Sequence, residues 1–444
     1  MPKSSEMRGR GLVLAGWLAV GTLGTAPPAS AMAGIREPAP EDQEVADPEP
    51  GSELHVSLIT IGAGPVVYEM FGHNAIRIQD PARGLDVAYN WGMFDVTQEG
   101  FFWRFLLGDW QYWMAGLSSE GMIAHYVATD RGVVEQALDL TPAQRLMLLD
   151  MAGFNARPEN AYYRYQYFLD NCSTRVRDLL DTIVAGSLRE QFAEAPGETY
   201  RFHTRRLTAG NPLIYVSLDF FMGGRGDRPG TAWEEMFIPM MLRDFLRETD
   251  LVASEALLDE SSRPRPLVAP PAHFIRFTLV GILLAGLLAG SAALASSSRS
   301  GKDGRTTSRA GRHTLRRVAE PAFVLAAGIW SLAAGLSGLV MIVSHFTSHE
   351  FMHWNENFLQ ANPLSLVLAG ALVPAVFAGR WRRFAVRAAV LAAGVSVLGL
   401  VVQVVPGIDQ VNGYYLIVAV PAHLAVAWGV RAVVRDGGEP AGAK

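Results

Sequence analysis

Cysteine is almost absent: Cys172 is the single one in 444 residues. No intramolecular disulfide can form, so any part of the chain outside the cytoplasm is held by its own core. Charge is scarce as well, with 18% Asp, Glu, Lys and Arg against 50% hydrophobic residues. That balance excludes a solvated, disordered chain and is too apolar for an ordinary soluble enzyme. The formal net charge of −5 leaves no basic footprint for nucleic acid, so none is expected as a partner. Two stretches, 345–363 and 406–413, contain neither Lys nor Arg.

What is present begins with a targeting pattern. Lys3, Arg8 and Arg10 precede an apolar run over 11–26, and Ala29-Ser30-Ala31-Met32-Ala33 offers small residues at A-x-A spacing. Residues 1–33 therefore read as a secretory signal peptide, an uncleaved anchor helix being the alternative. Residues 34–52, rich in Pro, Glu and Asp, read as a linker, and 53–262 have globular composition. After a Pro/Arg hinge, 272–435 hold five apolar runs near 277–295, 322–344, 364–378, 386–405 and 414–430, with 436–444 as a cytoplasmic tail. Each run is about long enough for a bilayer, the third only marginally.

The cations test this layout independently, because short cytoplasmic loops collect Lys and Arg. The loop after the first run carries Arg299, Lys302, Arg305, Arg309, Arg312, Arg316 and Arg317, and the next inner loop carries Arg380, Arg382, Arg383 and Arg387. The two loops free of cations fall on the other side. The reading is an exported N-terminal domain on a five-helix membrane bundle, N-out and C-in.

In the exported part, Val176, Leu179, Leu180, Ile183 and Val184 recur at helical spacing behind Asp170-Asn171, good N-cap types. Cys172 is thus predicted in a first helical turn, where free N–H groups and the helix dipole lower a thiol pKa and can bind an oxyanion. An arbitrary lone cysteine is usually a small buried hydrophobe. An unpaired thiol at a polar helix start in an oxidising compartment points instead to a nucleophile.

A thiol nucleophile needs a base, and His55, His73, His125 and His203 are available. His73 is best placed. Residues 71–78 alternate as a strand, Asp80-Pro81 to Gly84 read as a turn, and 86–91 resume, which predicts a hairpin. Alternation sets His73 on the face opposite Ile76 and Ile78, and the return strand brings Asn90 toward it as an orienting amide, with Asp86 and Asn74 as rivals. Trp103, Trp110, Tyr112 and Trp113 form an aromatic segment suited to core packing or to a bilayer surface.

The outer loop 345–363 spells H-E-x-x-H at His349-Glu350-Phe351-Met352-His353. On a helix this sets two imidazoles beside a Glu base, the arrangement of a zinc protease. A third ligand is missing nearby, although His345 extends the row. A substrate-contact or gating segment is the expected role of this loop, with no metal and no cofactor.

These stretches together resemble the Lnb-type bacterial lipoprotein N-acyltransferase family. The resemblance runs from Gly64-Pro65 to Tyr68, through Phe71-Gly72-His73-Asn74-Ala75-Ile76-Arg77 and Tyr89 to Asp95, then from Asn160 to Arg175. It continues in the outer loop through Thr347-Ser348-His349, Asn355-Glu356-Asn357 and Asn362-Pro363-Leu364. In the family pattern His349 and the asparagines recur, whereas Glu350 and His353 are not expected. The resemblance implies an α+β fold: a circularly permuted papain-like (NlpC-type) periplasmic domain followed by an α-helical five-span membrane bundle, in the bacterial inner membrane. It implies Cys172 as nucleophile and His73 as base, and it leaves the third member open, for which Asn90 is taken. Asn171, Ser173, Arg175, His349, Asn355 and Asn357 are the expected substrate contacts. The implied reaction moves an acyl chain from a phospholipid to the N-terminal amine of a diacylglyceryl lipoprotein. A thiol amidase or peptidase, and less favourably a zinc membrane protease, are the alternatives.

Overall fold

A computed structural model describes residues 49–300 and 309–435. The signal-peptide reading (1–33), most of the linker, Lys302 and Arg305 of the first cationic loop, and the tail 436–444 lie outside the described residues.

The N-terminal domain is built on a mixed α/β plan around one antiparallel sheet of seven strands. These are β1 (His55–Ile61), β2 (His73–Asp80), β3 (Leu85–Met93), β4 (Gln111–Ser118), β5 (Val133–Leu138), β6 (Tyr162–Arg164) and β7 (Val252–Asp259). They lie in the order β6-β4-β3-β2-β1-β5-β7. The β2–β3 hairpin pairs Ala75 with Asn90 and Asp80 with Leu85 around the Pro81–Gly84 turn. The helices used below are α1 (Phe101–Leu107), α2 (Ser119–Ala128), α3 (Pro142–Asn155), α4 (Cys172–Ile183), α5 (Tyr200–Thr208), α6 (Pro212–Phe221) and α7 (Pro239–Leu246).

The alternation of β1 to β3 divides the core by sheet face. Leu58, Ile76, Ile78, Tyr89 and Trp91 pack with Val176, Leu179, Leu180 and Ile183 of α4, joined by α3 and α7. Ile59, Ile61, Ala75, Ala88 and Val133 pack on the opposite face with Met122, Ile123 and Tyr126 of α2. Each fully buried aliphatic side chain contributes about 1.5–3 kcal/mol, so α4 is held chiefly by its apolar stripe.

Five helices are long and apolar enough to cross a membrane, spanning Phe274–Ser297, Arg317–Ser344, Glu356–Phe377, Arg382–Val404 and Gly413–Val434. The third is a composite: its regular helix is only Leu364–Phe377, about 21 Å at 1.5 Å per residue, and a 3-10 turn at Glu356–Leu359 extends it outward. Alanine-rich faces let the bundle helices approach closely, with Ala292, Ala327, Ala371, Ala389 and Ala422 all buried.

The loops 345–363 and 406–413 of the bundle dock on α5, α6 and the loop after α6. Asn355 and Asn357 both donate to the Phe220 carbonyl, at 2.9 and 2.8 Å. Tyr415 donates to Asp219 at 2.8 Å, Arg205 to the Val411 carbonyl at 2.7 Å, and Gln410 to the Met222 carbonyl at 3.1 Å. Asp219, fully buried, is clasped by Arg201 and Arg205 at 2.9 and 2.7 Å. An isolated buried carboxylate is costly to desolvate, and two guanidinium partners with a phenol offset that cost.

Candidate active site

Three strand ends meet at one edge of the sheet, because Ile61 at the end of β1 pairs with both His73 and Val133. His73 opens β2 there, and Arg131 lies two residues before Val133. Onto the same edge comes the start of α4, whose cap is set by sequence. Asn171 Oδ1 accepts from the N–H groups of Ser173 and Thr174 at 2.8 and 2.9 Å, and Thr174 Oγ1 accepts from the Asn171 N–H at 2.8 Å. This capping box satisfies donors that the first turn otherwise leaves open, an effect of about 1 kcal/mol. Cys172 becomes the first helical residue, buried against the sheet.

Gly92 lies beside Cys172. Its φ of +86° is a left-handed conformation that suits glycine, at the point where β3 bulges between Asn90 and Met93. A Cβ there would lie 3.3 Å from the Tyr165 ring and 3.6 Å from the Cys172 Cβ. The contact with the tyrosine ring would be tight and that with Cys172 an ordinary one, so the glycine serves chiefly the left-handed backbone.

Among the three rivals for a bond to the imidazole, the fold turns Asn90 toward it: His73 Nε2 and Asn90 Oδ1 are 2.9 Å apart. The amide orientation is fixed because Asn90 Nδ2 donates to the Ala88 carbonyl at 2.9 Å. An amide oxygen only accepts, so Nε2 carries the proton and Nδ1 holds the basic lone pair. Nδ1 has no hydrogen bond among the described residues. Asp86 is instead paired with Arg77 at 2.6 Å, and Asn74 is engaged with Thr60 and Ser173 at 3.0 and 3.1 Å. The other candidate bases are elsewhere engaged or exposed: His203 is paired with Glu235 at 2.6 Å, and His55 and His125 lie at the surface.

Burial governs the electrostatics. It pushes the Cys172 thiol up to about 11, against the opposing pull of the Asn74 and Ser173 N–H groups, which reach the sulfur, and of the Arg131 charge. It also brings His73 down to about 4, countered by the Asn90 bond and reinforced by Arg131. The expectation from the helix start, a lowered thiol pKa, is corrected here: the dipole and N–H groups act in that direction, but desolvation of the anion outweighs them. At neutral pH the resting pair is thiol and neutral imidazole.

The remaining predicted contacts are placed as follows. Asn171 is buried with its Nδ2 donating to the Tyr167 and Phe237 carbonyls, both at 2.9 Å. Ser173, also buried, donates to the Met236 carbonyl at 2.6 Å. Arg175 pairs with Asp170 and covers the Tyr163 ring at 4.1 Å. Asn355 and Asn357 are 5% and 0% exposed, so their amides face the chain itself and join the two halves of the molecule. His349 lies in a crevice with Trp110, Tyr165, Tyr167 and Ser348, its Nε2 3.1 Å from the Phe105 carbonyl.

The H-E-x-x-H segment does not form the helix that zinc ligation on one face requires. Glu350–Met352 is a 3-10 turn, His353 is extended at φ −68° and ψ 154°, and its Nε2 lies 2.8 Å from the Ser344 carbonyl. Glu350 is paired with Arg225. Among the described residues no group of three or more His, Cys, Asp or Glu is positioned to hold a metal ion.

Arg131 is the residue that sequence reading passes over. It is 5% exposed, donates from Nε to the Gly62 carbonyl at 3.1 Å, lies over the Tyr126 ring at 4.9 Å, and sits 3.6 Å from Glu69. Its Nη2 has no partner among the described residues. Tyr126 in turn lies 6.2 Å from the His73 ring. No local pattern marks Arg131; only the double pairing of β1 brings it to the site.

Residues 47–206 match the family model described as the Lnb N-terminal periplasmic domain. No curated protein and no solved structure matches the chain. The segment holding β1 to β6, α4 and most of α5 is thus similar to the Lnb N-terminal periplasmic domain, and five helices long and apolar enough to cross a membrane follow it.

Proposed function

We propose that the chain is a cysteine-dependent N-acyltransferase of the bacterial inner membrane, moving an acyl chain from a phospholipid to the N-terminal amine of a diacylglyceryl lipoprotein. The observation that carries the reading is the His73–Asn90 bond. It leaves Nδ1 as the free base on a residue whose successor, Asn74, presents its N–H to the Cys172 sulfur. A circularly permuted papain-like arrangement, histidine strand before cysteine helix, accords with this order.

In the proposed mechanism Cys172 is the nucleophile, His73 the base and Asn90 the orienting group. As sulfur attacks the ester carbonyl, the thiol proton passes to Nδ1; a neutral resting pair makes this transfer concerted with attack. The Thr174 N–H is spent on the cap, and the Ser173 N–H is divided between the cap and the sulfur. Stabilisation of the oxyanion therefore falls to the Cys172 N–H at the start of α4 and to the Asn74 N–H. Collapse expels the lysophospholipid alkoxide, which takes the proton back from the imidazolium, and leaves a thioester. The lipoprotein amine then attacks, giving amide and thiol through the same proton relay. Asn171 and Ser173 position the helix start, and Asn355 and Asn357 hold the domain on its bundle.

Mass spectrometry of lipoprotein N-termini, from cells carrying wild type or Cys172→Ala as sole copy, tests the reading. Expected is N-acylation with the wild type and its loss with the variant; N-acylation at the wild-type level in the variant overturns it. A thiol amidase uses the same thiol and base but delivers the acyl group to water. Release of free fatty acid or cleaved peptide without amide formation would favour that reading.

A further inference from the structure

Helix α1 is anomalous for a soluble surface. None of its seven residues is buried, and Phe102, Trp103, Phe105, Leu106 and Leu107 are between 44% and 67% exposed. A contiguous apolar face of this kind marks a surface that something covers.

Its position identifies the cover. The Leu107 carbonyl accepts from the Ser348 N–H at 2.9 Å, and the Phe105 carbonyl lies 3.1 Å from His349 Nε2. A Cβ on Gly108, at the end of the helix, would meet the His349 nitrogen at 3.0 Å. Ser348 is four residues past Ser344, the outer end of the second membrane-length helix. That end exposes Val340 and Val343, with Phe346 just beyond. The apolar face of α1 therefore continues the lipid-facing surface of the bundle, at the level where aromatic residues meet headgroups.

From α1 an aromatic row runs inward. Phe105 stacks on Trp110 at 5.4 Å, Trp110 lies 6.2 Å from Tyr165, and Tyr112 stacks on Tyr165 at 4.4 Å. Tyr165 is the ring held against Gly92, beside Cys172. We propose that α1 lies in the outer leaflet and that the Phe105–Trp110–Tyr165 row is the track along which a membrane lipid's acyl chain reaches the thiol. The proposal deepens the acyl-transfer reading and rests on it for the second half.

Two measurements separate the halves. For depth, Cys172→Ala protein carrying Phe102→Cys is spin-labelled in phosphatidylcholine/phosphatidylglycerol vesicles, with Met147→Cys on α3 as the comparison. Expected is high accessibility to oxygen and shielding from a water-soluble nickel chelate at 102, with the reverse at 147. Equal profiles overturn the proposal, as does spin–spin broadening that reveals a second copy covering α1. For the track, Trp103→Glu/Leu106→Glu with Cys172 intact is assayed for thioester formation by intact mass. Donors are vesicle phospholipid and a water-soluble short-chain ester. Expected is a loss with the vesicle donor at least tenfold greater than with the soluble ester; equal losses overturn the track. If wild type forms a thioester from neither donor, the acyl-transfer reading fails and the track with it, while the depth result still decides the membrane placement of α1.

Discussion

Two regions of this chain hold imidazoles in patterns that chemistry can use, one on the β2 strand and one in the outer loop. His73 stands alone in sequence, with Asn90 seventeen positions away and Cys172 farther still, yet the sheet sets His73 on Asn90, and Asn74, the next residue, presents its N–H to the Cys172 sulfur. His349 and His353 are four positions apart beside a Glu, a denser pattern, yet the backbone there turns as 3-10 and then extends, so the rings separate to different carbonyl partners. Spacing has meaning only on the secondary structure it presumes. In the outer loop, Asn355, Asn357 and the Glu350–Arg225 pair bind that backbone to the exported domain, and helix is forgone.

The largest effect that sharpens this contrast is at sulfur. Cys172→Ala is expected to lower acyl transfer by at least about 10³-fold, as loss of a nucleophile does, whereas Glu350→Ala removes only a half-exposed ion pair worth roughly 0–1 kcal/mol. Parallel assays of the two variants check this, and the opposite ranking would restore the zinc reading.

Next in size is the pH response of the thiol. With its pKa at about 11, Cys172 alkylation by iodoacetamide should rise about tenfold per pH unit from neutrality toward that value, following the thiolate fraction. A plateau reached below pH 7 would instead reveal a preformed thiolate–imidazolium pair. The imidazole gives a stability signature of its own. Its folded-state pKa of about 4 lies below the unfolded value of about 6.5. Between those values the unfolded chain binds the additional proton, so stability falls as pH drops from 6.5 to 4 and levels off below. Thermal melts of wild type and His73→Gln across that window should show a shallower slope in the variant.

Asn90→Ala is expected to cost about 10–10²-fold in the single-turnover acylation rate, because the imidazole loses its fixed tautomer and orientation. The smallest effect belongs to the cap. Asn171→Ala should lower unfolding stability by about 1 kcal/mol for the lost cap, and more where the Tyr167 and Phe237 carbonyls are left unpaired. Chemical denaturation followed by near-ultraviolet signals measures it.

The five apolar helices, the hairpin and the capped cysteine helix are legible in the sequence, since hydropathy, alternation and capping types are short-range properties that each segment carries with it. Three decisions are made by tertiary structure alone. The register of β2 on β3, with Gly92 bulging beside them, turns Asn90 rather than Asp86 or Asn74 to the imidazole. Pairing of β1 with two partners carries Arg131 to the same edge, an encounter between residues 58 positions apart that no local pattern encodes. Packing of α4 against the sheet withdraws the thiol from water, and desolvation, which depends on everything around the sulfur, outweighs the dipole of the helix on which it sits.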